Sequence, residues 1–94
     1  MPNLETTQLA PRAIQCVALF EIMDRAAPNW VAQASVQTAW QKWEKAALTL
    51  SHRHGVDFGE QVNQEMVKLA DDAVSHPGRL SARAVACIAD GPRY

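Results

Sequence analysis

Apolar residues recur along most of this chain at steps of three and four, the spacing that gathers side chains on one side of an α-helix. The pattern is plainest over residues 35–54, where Val36, Trp40, Trp43, Ala47, Leu50 and His54 share a side. Gln37, Gln41, Glu44, Lys45 and His52 lie mostly opposite. A helix over residues 36–53 would be about 27 Å long at about 1.5 Å per residue, enough to span a small domain. Two indoles one turn apart need large apolar partners, which the flanking segments or a second copy of the chain must supply. The sequence therefore predicts that this central helix organises the fold.

A second helix is predicted over residues 12–26. Ala13, Cys16, Val17, Phe20 and Met23 make one stripe, and Ile14, Ala18 and Ile22 widen it past half the circumference. Such a helix is expected to be covered on more than one side. Pro11 suits an early helical position, where its missing N–H would be unpaired anyway. Residues 1–10 have no sustained period and read as a lead-in, with flexible tails expected at about 1–9 and 91–94. Pro28 interrupts the pattern because it disfavours helical geometry at Ala27 and cannot donate to the ladder. Residues 30–34 form either a short turn capped by Asn29 or the start of a helix running on to Arg53, with the continuous form slightly favoured. Ser35 is the N-cap if the elements are separate.

Gly55 can adopt the left-handed conformation that ends the central helix. Asp57 and Glu60 then have the spacing of a capping box opening a helix over residues 58–75. Its Phe58, Val62, Met66, Leu69, Ala70 and Ala73 share a face expected to meet the tryptophans in antiparallel order. The run Ser75, His76, Pro77, Gly78 breaks this helix. A last helix is expected over residues 81–89 with Ser81 as cap, or one turn longer from Pro77, ending at Asp90 and Gly91. No segment alternates apolar and polar residues with β-branched enrichment, so no sheet is expected. The expected fold is all-α: a compact bundle of four or five helices in one domain of residues 1–94. Its central helix, residues 35–54, packs against helices 12–26 and 58–75.

Composition narrows the function classes. With 94 residues, 48% hydrophobic and 20% charged, the chain resembles ordinary globular domains rather than disordered ones. A net charge of -1 gives no global pull toward nucleic acid, so only a local patch would serve. Residues 57–72 hold five acids and one lysine, a net of -4 that repels phosphate. Residues 75–94 hold Arg79, Arg83 and Arg93 against Asp90, a net of +2. Those three arginines are the nucleic-acid candidates, through phosphate contacts. Cys16 and Cys87 are too few for a secreted disulfide scaffold. They read first as buried thiols in a reducing compartment, then as a disulfide between the first and last helices, and last as a reactive thiol. With no leader pattern and no run of about 18 apolar residues, a cytoplasmic protein without membrane contact is expected.

Candidate chemistry adds little. His52 and His54, two residues apart, point away from one another and cannot form a helical metal pair. His76 beside Pro77 reads as a turn residue. Glu21 with Arg25, and Asp71 with Asp72, read as solvated surface. A nucleophile built from Cys16 or Cys87 with a histidine would need the fold to assemble it. No catalytic, cofactor-binding or metal-ligating residue is assigned, and no enzyme or cofactor is expected. The apolar excess points to binding instead. The first helix is apolar around much of its circumference, and Trp30, Trp40 and Trp43 crowd one third of the chain. Ile14, Phe20, Trp30 and Trp43 are the interaction candidates. The expected function is a small protein–protein interaction or regulatory module, acting as a homodimer or on a partner protein. The alternatives are a nucleic-acid-binding regulator using the C-terminal arginines, and a small enzyme whose site is not visible in sequence.

Overall fold

A computed structural model describes the backbone of residues 2–92 and the side chains of residues 11–92 other than Pro77. The described residues form five helices: α1 (Pro2–Ala26), α2 (Pro28–Val31), α3 (Ala34–His54), α4 (Phe58–Ser75) and α5 (Pro77–Ala89). No strand occurs among the described residues, and the all-α bundle read from the periodicity is the observed fold.

The element at the centre is α1, not α3. Ala13, Ile14, Cys16, Val17, Ala18, Leu19, Phe20 and Met23 are all buried, which takes in nearly every direction around the helix. α3 and α4 both lie along α1, α5 packs on it as well, and α3 touches α4 only slightly. The expected face-to-face packing of α3 on α4 is thus corrected. The reason is geometric: α3 offers a single apolar stripe, whereas α1 is apolar all round and can serve several neighbours at once. The tryptophan stripe of α3 meets α1, where Trp40 stacks on Phe20 with ring centroids 6.0 Å apart, and α5, where Trp43 is received.

Three boundaries also differ from the sequence reading. α1 begins at Pro2 and runs through Pro11, so the helix starts about three turns before the expected point and the lead-in is helical backbone. Leu4, Glu5, Gln8, Leu9 and Ala10 are good helix formers, and they outweigh the one backbone donor that Pro11 removes. Residues 93–94 of the expected tail lie outside the described residues. α2 and α3 are separate, and the N-cap of α3 is Gln33 in extended conformation rather than Ser35. Gln37 ties the two together, its Nε2 donating to the Val31 carbonyl at 2.7 Å. α5 starts at Pro77 rather than Ser81, with proline at the first helical position, where its missing N–H does no harm.

Two junctions follow the sequence closely. Gly55 has φ +69° and ends α3, with the Val56 N–H reaching back to the Ser51 carbonyl at 3.0 Å. Asp57 caps α4 by accepting from the Glu60 N–H at 2.9 Å. The Glu60 carboxylate faces Gln64 Nε2, so only the Asp57 half of the capping box is formed.

Cys16 and Cys87 are joined in a disulfide with their Cα atoms 5.8 Å apart, which replaces the expected pair of thiols. The two helical stripes that carry them face each other across the α1–α5 contact, so the sulfurs meet. The bond ties the first long helix to the last across 71 residues of sequence. Arg12 and Asp90 pair at 2.7 Å beside it. The Cα radius of gyration is 12.9 Å, close to the roughly 12 Å expected of a folded chain this long.

Candidate functional site

Three of the four predicted interaction residues belong to the core. Phe20 and Ile14 are buried in α1, and Trp43 is 1% exposed. The Trp43 indole Nε1 donates to the Cys87 carbonyl at 2.7 Å. That carbonyl stands in the last turn of α5, where the helix itself offers no donor, so the indole is held for a structural purpose. Trp30 is half-buried and packs on the core from α2. Little of Ile14, Phe20 and Trp43 is left at the surface of the folded chain.

Leu48, Val56 and Val85 are exposed, but the two most exposed large apolar side chains are on α4, beside a groove where α1 meets it. Ile22, Arg25 and Ala26 of α1 and Asn63, Met66, Val67 and Ala70 of α4 line an open groove of about 720 Å³. Val67 is 73% exposed, and Val74, two turns further along the same side of α4, is 86% exposed. The sequence signal for this face was present but weak: Val67 and Val74 are a heptad apart and lie away from the Val62 and Leu69 stripe. Ala70, expected on the inner face, is exposed. Isolated exposed valines are ordinary, but here they continue a groove that is itself apolar.

The basic candidates are drawn inward. Asp72 on α4 stands 3.4 Å from Arg79 and 3.9 Å from Arg83, so the two arginines share one carboxylate between α4 and α5. Phosphate would have to displace that carboxylate and approach the acidic α4 surface to reach them. Arg93 lies outside the described residues.

Two smaller pockets are bordered by polar side chains. Ser51, His54, Gln61 and Glu65 border a pocket of about 260 Å³ whose walls are Pro11, Ile14, Leu50 and Val56. Ser51 and His54 are one turn apart on α3, and Glu65 comes from α4. Among the described residues no hydrogen bond links the three, and the Glu65 carboxylate is taken by Lys68 at 3.4 Å. The convergence gives polarity without a proton relay. A second cleft, of about 130 Å³, has the disulfide in its lining together with Arg12, Gln15, Leu19, Arg83 and Ala86. Bonded to each other, the two sulfurs offer no thiol nucleophile, which corrects the cysteine-based catalytic alternative. Among the described residues no three His, Cys, Asp or Glu side chains come together as metal ligands, and no helix is long and apolar enough to cross a membrane.

No protein-family model, curated protein or solved structure matches the chain.

Proposed function

We propose that the chain is a small helical interaction module that pairs with a second copy of itself through the α1–α4 face. The observation that supports this is the run of apolar surface from Ile22 and Ala26, across Met66 and Ala70, to Val67 and Val74. Burying it removes two well-exposed valines from water, worth about 1.5 kcal/mol or more for each fully covered side chain. Small residues at Ala26 and Ala70 let a neighbouring helix come close to the groove. A two-fold pairing of like surfaces is the commonest way a small chain closes such a face. A partner protein presenting an apolar helix is the other occupant of this chemistry.

The cytoplasm is kept as the proposed compartment, on the condition set by the disulfide. Disulfides persist in oxidising compartments, and in the cytosol those that form are mostly transient, catalytic or redox-sensing. Binding of nucleic acid at Arg79 and Arg83 has no observation in its favour, since both stand beside Asp72 on the acidic α4 helix, whose charge repels a phosphate backbone.

Sedimentation velocity over a range of concentrations tests the pairing. The parent chain is expected to move from a 10.4 kDa monomer toward a dimer, while Val67→Lys stays monomeric with an unchanged helical spectrum. A parent chain that remains monomeric throughout overturns the homodimer. Loss of helicity in Val67→Lys would contradict the placement of Val67 on the surface.

A further inference from the structure

The disulfide cleft carries a symmetry of placement that the fold does not require. Arg12 stands one turn before Cys16 on α1, and Arg83 stands one turn before Cys87 on α5. Residues four apart share a helix face. Each cysteine thus has an arginine on its own face, and both arginines line the same cleft of about 130 Å³ as the two cysteines. The charged groups around the cleft are Arg12, paired with Asp90 at 2.7 Å, and Arg83, which has Asp72 at 3.9 Å. Each carboxylate occupies part of a guanidinium that presents five N–H donors, so donors remain for a further anion.

We propose that the Cys16–Cys87 disulfide is a thiol-exchange site for a small anionic thiol, opened and closed in the folded chain rather than locked as an inert strut. Room for about four water molecules, at about 30 Å³ each, admits the –CH₂–S⁻ end of such a thiol and leaves its carboxylates at the arginine rim. Cys87, 4% exposed against 1% for Cys16, is the less deeply buried of the two residues.

The incoming thiolate attacks the Cys87 Sγ, forms a mixed disulfide and displaces Cys16 as a thiolate. A second thiolate of the same reagent attacks the outer sulfur of the mixed disulfide and releases Cys87. The two protons given up by the reagent end on Cys16 and Cys87, and the two electrons gained by the protein come from the reagent, which leaves as its own disulfide. Reversal with the oxidised reagent closes the bond again. Opening removes the covalent tie between α1 and α5.

The test follows reduction of the full-length oxidised chain by alkylation and mass spectrometry. The reagents are glutathione as the anionic thiol and 2-mercaptoethanol as the neutral one. Urea is varied below the unfolding transition. Attack on the folded chain predicts a rate that is flat in urea. It also predicts that the Arg12→Gln/Arg83→Gln chain reacts about fivefold more slowly with glutathione, the scale of one or two screened charges at close range, while its reaction with 2-mercaptoethanol changes little. Should Arg12→Gln weaken folding through the lost Asp90 pair, Arg83→Gln alone gives the same comparison. A rate that climbs with urea in step with global unfolding overturns the proposal and makes the bond a strut. Arginine variants that react with glutathione as fast as the parent overturn it too.

Discussion

Trp40 and Trp43 lie one turn apart on α3, yet their surroundings set them different tasks. Trp43 is fully buried and its N–H satisfies the Cys87 carbonyl, while Arg12 lies over its ring with the guanidinium carbon 5.7 Å from the centroid. Trp40 stacks on Phe20, but its Nε1 is buried and finds no acceptor among the described residues. Replacing Trp43 by Phe leaves a carbonyl unpaired and a cavity behind, with an expected loss of about 2–3 kcal/mol in urea unfolding. Trp40→Phe loses volume but also removes an unsatisfied donor, so its expected cost is about 1 kcal/mol or less. Equal costs for the two variants would refute the distinction. From sequence Trp43 was the interaction candidate and Trp40 the core residue; periodicity places both on the inner stripe but does not say which one will find a carbonyl, because that depends on where the end of α5 falls.

The junctions at Gly55 and Asp57 were the most legible features at the scale of elements, since they rest on local chemistry. Gly55 takes a left-handed conformation in which an added Cβ meets nothing within 4 Å. The cost of Gly55→Ala is therefore conformational alone, about 1 kcal/mol in chemical denaturation. Asp57→Ala removes the acceptor of the Glu60 N–H and is expected to cost a similar amount, about 1 kcal/mol. A Gly55→Ala chain as stable as the parent would show that α3 can end in another way. What local chemistry did not reveal was the extent of α1 across Pro11, nor the separation of α2 from α3. Both depend on neighbouring elements: α1 continues as the scaffold of the bundle, and the Gln37 amide joins two helices whose backbones have parted.

The all-α class of the whole molecule followed from periodicity, but its hub did not. The tryptophans made α3 the conspicuous stretch. α1 is central because small and medium apolar residues surround it, a property that reads in sequence as weak amphipathicity rather than as a strong signal. The candidate surface shifted for the same reason. Ile14, Phe20 and Trp43 were chosen for apolar size, which the core needs most, and the exposed face fell to valines and alanines of α4 and α1. The disulfide adds stability at this scale by closing a 71-residue separation. Chain-entropy reasoning gives about 4 kcal/mol for a loop of that length, so a Cys16→Ala/Cys87→Ala chain is expected to unfold at markedly lower urea than the oxidised parent. An unchanged midpoint would mean that packing alone holds α5 to α1.

The pairing of two chains through the α1–α4 face is tested most directly by small-angle X-ray scattering on the oxidised parent and on Val67→Lys. A dimer predicts forward scattering of twice the 10.4 kDa chain and a radius of gyration well above the 12.9 Å of one copy. Both should return to single-chain values in Val67→Lys. Scattering from a single chain at every concentration of the parent would contradict the account.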